Sequence, residues 1–525
     1  MPETKTGYPN RIFYSRNEAL LPAIGSEEEK MLFRDMQSGF AAQFENTYPN
    51  PLEAKTVVII PSLTLDQEIL QKIEGVVHYE ERMLALLMLL RMPRTHVIFV
   101  TSVPVDPIII DYYLHLLPGI TGYHARQRLT LHSCFDASHL SLTEKILARP
   151  RLINRIRQSI PAGQLAHIVC FNVTAHERRL AVELGLPIYG CDPELYHLGN
   201  KSNSRKVFRN CGIQLPNGFE DLSSKEEVAE ALIKLKKENP ALQKAVVKMN
   251  EGFSGDGNAI YYYPDAMTGQ NLTLENILDS IPYALKMVAG NLPYEVFLQK
   301  FEKDGGIVEA FLEGHEKTSP SVQCRINPLG RIEIVSTHDQ MLGGESGQVF
   351  LGANFPADIA YAPALGEMGR KVAEALRDQG VLGRFSIDFI STKQPDGRWS
   401  HFAIEINLRK GGTTHPYLML DFLTQGDYNA ENGIYQMANG QPRYYFSSDN
   451  LHESVFRGLT PHDLIDIAMI HELRYDGSTQ EGVVFHLIGA LSQHGKLGVV
   501  CIGSTPERAQ MFFNKTFNTL MNECR

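Results

Sequence analysis

Two stretches of this chain alternate apolar and polar residues with the period of two that a half-buried strand requires. In Arg384–Ile390, RFSIDFI, the side chains of Phe385, Ile387 and Phe389 share one face, and Arg384, Ser386 and Asp388 share the other. In His401–Lys410, HFAIEINLRK, Ile404, Ile406 and Leu408 form the apolar row, and Glu405, Asn407 and Arg409 form the polar one. Between them Gln394-Pro-Asp-Gly-Arg398 carries the Asp-Gly pair that favours a hairpin. Counting outward from a two- or four-residue loop sets Asp388 opposite Glu405. A polar strand face is ordinarily a solvated one, but two carboxylates directly opposite each other repel. The pairing therefore predicts a cation between them. Oxygen donors from Asp388, Glu405 and Asn407, with no Cys or His, suit a hard ion such as Mg²⁺ or Mn²⁺. Such an ion usually shares its shell with phosphates, so the ribbon also predicts a nucleotide site.

The pattern elsewhere predicts an α/β and α+β multidomain chain. Strands at Thr56–Ile60, His96–Thr101, Ala166–Phe171 and Leu186–Gly190 alternate with helical stretches over Leu65–Arg91 and Glu177–Leu184. That alternation argues for a parallel sheet, placed in a first domain of residues 1–191. A second domain, 192–430, opens with a basic helix over Lys201–Asn210 closed by Gly212. A charged surface helix follows over Lys225–Lys237. Strands and glycine-rich loops then run from Ala245 to about Pro416, broken by a helix near Leu365–Asp378. Within them Phe297–Phe301 reads as an apolar strand. A small α+β domain, 431–525, contains a helix over Thr460–Leu473 and strands at Gly482–Ile488 and Leu497–Ile502. A hairpin turn at Ser492–Gly495 joins those strands, and a helix follows from Thr505.

Composition narrows the classes. Of 525 residues, 43% are hydrophobic and 21% charged, as in soluble globular proteins. A net charge of −10 leaves no basic footprint for nucleic acid. The apolar run Met83–Leu90 is too short to span a bilayer, and the N-terminus resembles no signal or transit peptide. Seven scattered cysteines lack disulfide or zinc spacing, so reduced thiols and a cytoplasmic location are expected.

Further candidate chemistry precedes the ribbon. Lys248 interrupts the apolar strand Ala245–Met249, which runs into Glu251-Gly-Phe-Ser-Gly-Asp-Gly-Asn258. Glycines let backbone N–H groups approach phosphate oxygens closely, and the lysine adds charge; a plain glycine-rich hairpin is the competing reading. The loop is neither a P-loop nor a Rossmann turn, because GxxxxGK[ST] is absent and no helix follows. Lys201 and Arg205 begin the basic helix. Neither Gly252–Asp256 nor Gly344–Gln348 completes a nucleophile elbow, no HExxH occurs, and the 18 histidines are dispersed.

Taken in order, Lys201, Lys248, the glycine loop, Asp388 and Glu405-x-Asn407-x-Arg409 resemble the ATP-grasp ligases over roughly Asp192 to Gln425. The resemblance implies an ATP-grasp fold preceded by a Rossmann-like domain, with Lys201 and Lys248 on the ATP phosphates. Gly252, Ser254, Gly255 and Gly257 would close over those phosphates. The adenine would lie at a strand containing Gln299, Lys300, Phe301 and Glu302. The metal, expected as two ions, would sit on Asp388, Glu405 and Asn407. Arg409, with Lys248 and Arg384, would act on the transferred phosphate. Asn200 stands where an aspartate is common, and Ile307 near where some members place a polar ribose contact. Gly411–Pro416, Ser336–Gly344 and Gly347–Gly352 narrow the likeness to peptide ligases of the pheganomycin type, which act in natural-product biosynthesis. They imply ATP-dependent joining of a small carboxylic acid to an amino acid or peptide amine through an acyl phosphate. A homodimer is the expected assembly. A phosphotransferase and a non-catalytic ATP sensor are the alternatives on this scaffold. His338, Asp339, Glu345 and His415 are candidates for a general base.

Overall fold

The computed structural model describes residues 21–65, 67–252, 257–288, 292–314, 316–343 and 349–524. Near the N-terminus, four parallel strands take the order Leu129–Ser133, Thr95–Thr101, Lys55–Ile60, Leu165–Cys170. Every residue of the central Lys55–Ile60 strand is buried, as a parallel sheet covered on both faces demands. The expected Leu186–Gly190 strand is only a single bridge, Ile168 to Ile188. The helical stretch ending at Arg91 includes a 3₁₀ segment, Val76–Arg91, with ten buried residues.

Beside a two-stranded ribbon of Asp427–Asn429 and Ile434–Gln436, two large antiparallel sheets follow. The smaller has five strands in the order Gly218–Leu222, Gly306–Ala310, Lys244–Met249, Asn258–Tyr262, Leu285–Met287. Three helices pack on it. The charged helix Lys225–Glu238 buries Val228, Leu232 and Leu235 against this sheet. The second, Leu274–Ala284, went unrecognised in the sequence because Pro282 reads as a breaker, although its neighbours Ile277 and Ile281 are fully buried. The third corrects an expectation: Phe297–Phe301 is not a strand but part of the helix Tyr294–Asp304. Phe297 and Phe301, four apart, lie on one helix face and enter the core. The stop is legible afterwards, since Gly305 adopts φ 70° and its N–H donates to the Phe301 carbonyl at 2.8 Å.

The larger sheet has eight strands, in the order Trp399–Asn407, Gly383–Lys393, Lys317–Ile326, Ile332–Gly343, Val349–Phe355, Tyr444–His452, Lys496–Gly503, Gly482–His486. Its hydrogen bonds run unbroken past residue 431, so a boundary drawn there divides a continuous sheet. The last two strands are antiparallel neighbours, but the helical turn Leu491–His494 joins them rather than a hairpin. The helix Ala362–Asp378 covers the strands Lys317–Ile326 and Ile332–Gly343 through Leu365, Val372 and Leu376.

Phe301→Ala should remove a buried ring from the five-stranded layer and cost about 3–5 kcal/mol. Denaturant unfolding checks this; a loss under ~1 kcal/mol would place Phe301 outside the core.

Candidate active site

Asp388 and Glu405 are direct cross-strand partners. The count works through compensation. Lys393 pairs with Trp399, leaving a five-residue loop, 394–398, that shifts the register by one residue. A β-bulge then leaves Ile404 unpaired between Phe389–Ala403 and Asp388–Glu405, restoring the predicted facing pair. The bulge also re-aims Ile404: the core row is Ala403, Ile406 and Leu408, while Ile404 lines a cavity.

That cavity, of about 470 Å³, lies between the two antiparallel sheets. The Asn407 amide donates to Asp388 Oδ2 at 2.9 Å and Glu405 Oε1 at 3.1 Å. Its own oxygen accepts from Arg409 at 3.1 Å. Gln340, which the sequence did not single out, donates to Asp388 Oδ1 at 2.8 Å. Lys201 begins the helix Lys201–Asn210, whose Asn200 side chain caps the Asn203 N–H, and its Nζ stands 2.5 Å from Glu405. Burial and the facing Glu405 charge push the Asp388 carboxyl up, to about 7. Burial acts in the same direction on Glu405, but the Lys201 ammonium outweighs it and holds that carboxyl below its usual range. One carboxylate is thus kept ionised and the other poised to take a proton. The carboxylate oxygens of Asp388 and Glu405 are partly buried and converge, and exchanging the two ends of the Asn407 amide would add its oxygen, giving a set that fits a hard divalent ion.

Lys248 meets Glu309 at 2.5 Å, and Arg205 holds the other Glu309 oxygen at 3.0 Å. Arg205 is spent on Glu309, Glu220 and the Pro216 carbonyl and braces the helix. Glu309, absent from the expected set, anchors the wall that continues through Ala310, Phe311 and Leu312. Gly252 and Gly257 line the cavity, whereas Ser254 and Gly255 fall outside the described residues.

Three expectations change. Gln299, Lys300, Phe301 and Glu302 do not line the cavity; they sit on a helix, whose main-chain groups are engaged within it. Ile307 is fully buried in the sheet core. Arg384 is not among the lining residues: it pairs across strands with Arg325, near Tyr189 and Tyr417. Of the base candidates, His338 is buried against Phe355 and bonded to the Tyr445 hydroxyl, and burial drives its imidazole down to about 3. Asp339 accepts from the Tyr361 hydroxyl and the Asp358 N–H. His415 lies behind the wall, 3.3 Å from Asp449, and Glu345 is outside the described residues.

This arrangement of a parallel α/β sheet followed by two antiparallel sheets around a charged cavity is the ATP-grasp fold. The sequence matches the IQCH-like ATP-grasp family over residues 193–265 and 267–431. Residues 463–512 match the PGM1 C-terminal domain family. The chain is 28% identical over 483 residues to L-propargylglycine–L-glutamate ligase of Streptantibioticus cattleyicolor, covering 89% of this chain and 94% of that protein. It is 23% identical over 418 residues to IQ motif-containing protein H of Danio rerio, covering 71% of this chain but 39% of that protein. Among solved structures, the ADP complex of N5-carboxyaminoimidazole ribonucleotide synthetase superposes with a TM-score of 0.50 at 13% identity, covering 90% of this chain and 99% of that one. No helix among the described residues is long and apolar enough to cross a membrane.

Two outcomes are expected. Glu405→Gln should weaken Mg²⁺-dependent binding of a non-hydrolysable ATP analogue by at least about 100-fold, with circular dichroism unchanged; calorimetric titration reads the first. Because Asp388 is raised to about 7, it holds a proton below that pH, and a divalent ion must expel it. Mg²⁺ affinity should therefore rise from pH 5.5 to about 7 and flatten above, and a flat profile in the same titration contradicts the assignment.

Proposed function

We propose that this protein is an ATP-dependent carboxylate–amine ligase. The observation that carries the reading is the Asp388–Glu405 pair facing a cavity that Lys201, Lys248 and Arg409 also enter. Asp388, Glu405 and Asn407 would hold Mg²⁺, as two ions, which would supply positive charge beside the phosphates. Lys201 and Lys248 bind the phosphates beneath the glycine loop. The adenine lies along Ala310–Leu312, where the chain leaves the five-stranded sheet and lines the cavity.

The chemistry follows from the leaving group. A carboxylate is a poor electrophile; accepting the γ-phosphoryl group makes an acyl phosphate, from which an amine displaces phosphate. Phosphoryl transfer is chiefly positioning and charge neutralisation. Arg409, held by the Asn407 oxygen and the Lys410 carbonyl, is placed to steady that charge. The enclosing walls exclude the water that would hydrolyse the intermediate. The named likeness to a ligase that joins two amino acids supports an amino acid on each side of the bond.

ADP and phosphate should appear together only when a carboxylic acid and an amine are both present, with the product mass equal to their sum less water. Lys248→Ala should lower kcat by about 10²–10³. Release of a stable phosphorylated acid in steady turnover would instead establish a phosphotransferase.

A further inference from the structure

The cavity extends beyond the carboxylate pair to a second charged end built from parts of the chain far apart in sequence. Tyr79 and Arg82 come from the 3₁₀ segment Val76–Arg91, while Asp449, Asn450 and Lys496 come from the last strands of the eight-stranded sheet. Asp449 and Asn450 lie where the pairing slips between Ser448 and Leu451, an irregularity that turns side chains out of the ladder.

Four of the five, Tyr79, Arg82, Asp449 and Lys496, are linked by direct contacts. Arg82 donates to Asp449 Oδ2 at 3.2 Å and stacks near Tyr79 and Phe171, at 4.6 and 4.8 Å from their ring centres. Lys496 donates to the Tyr79 hydroxyl at 2.8 Å. Behind Asp449 stand two buried imidazoles: His486 Nε2 at 2.7 Å and His415 Nε2 at 3.3 Å from the same oxygen, Oδ1. These neighbours outweigh burial and hold Asp449 well below the usual carboxylate range. Arg82 has a carboxylate partner, whereas half-buried Lys496 makes no ion pair among the described residues. A cation facing a half-open cavity without a counter-charge is a place for a substrate anion.

We infer that this end is the subsite for the amine-bearing substrate and that it selects an α-amino acid with a free carboxylate. Asp449 receives the ammonium, and Lys496, seconded by Arg82, receives the carboxylate. The inference rests on the ligase reading but adds what that reading leaves open: which wall takes the amine, and that an uncharged amine is rejected. The ammonium assignment is one of charge: Asp449 is an anion held well below the usual carboxylate range, so it binds the ammonium rather than taking its proton, and the protons shed on attack pass to solvent and the departing phosphate. Neither Arg82, Asp449 nor Lys496 enters the metal and phosphate set, so the two ends are separable by experiment.

Hydroxylamine, a small amine without a carboxylate, first traps the acyl phosphate as a hydroxamate when the proteinogenic L-amino acids are offered singly as the acid. With the acid that responds, amino acids are compared with their carboxamides as amines. The wild-type protein should prefer acids over amides by roughly 10- to 100-fold in kcat/KM, the range of a charge-assisted hydrogen bond. Lys496→Met should collapse that ratio toward one, chiefly through the KM of the amino acid, and Lys496→Arg should retain part of it. Equal use of acids and amides by the wild-type protein overturns the subsite even should the variants not fold, as does an unchanged ratio in a folded Lys496→Met. Failure of every acid to give a hydroxamate overturns the ligase reading and the subsite with it, whereas hydroxamate without acid-over-amide preference overturns the subsite alone.

Discussion

Two carboxylates held face to face in a partly buried β-ribbon are the constraint around which this protein is arranged. Asp388 and Glu405 cannot both ionise at low cost, because direct opposition in an antiparallel pair is repulsive and desolvation strengthens the repulsion. The chain answers with positive and dipolar groups from elsewhere: Lys201 from a helix start, Gln340 from a strand two places along the sheet, and the Asn407 amide between them. Buried charges of this kind contribute little to stability once desolvation is counted. Their retention is better explained by work that needs a divalent ion and phosphates at one spot.

Much of that site was legible because it is local. The polar row of Glu405, Asn407 and Arg409 is a period-two pattern, and the Asp396-Gly397 turn ties it to Asp388 within one hairpin. Even so, the facing pair emerged from two departures that cancel, a five-residue loop and the bulge at Ile404. The same bulge turns Ile404 from the core to the cavity, which no alternation rule foresees. Lys201 and Lys248 were legible by order along the chain, but their partners Glu405 and Glu309 were not, since nothing local records a contact across sheets.

The failures share a cause. Phe297–Phe301 is apolar and short, and such a run fits a buried strand or one face of a helix equally well by periodicity. Tertiary packing chose the helix, which carries these residues away from the cavity. Arg384 shares a strand face with Asp388 on paper, yet four residues along a twisted strand carry it away from the cavity to Arg325 and the parallel domain. Arg82 and Asp449, 367 residues apart, meet only in the folded chain, and neither sits in a pattern that marks it.

The continuous eight-stranded sheet gives these distant groups a common reference. Its first two strands carry the carboxylate pair, its middle strands carry Gln340, and its far strands carry Asp449 and Lys496. The carboxylate pair and Asp449 thus belong to one hydrogen-bonded sheet, with Asp388 and Asp449 four strands apart in its order. The 3₁₀ segment of the parallel domain then closes the far end, with Arg82 and Tyr79 reaching across to the last strands. The five-stranded sheet, with Lys248 and Glu309, supplies the opposite wall.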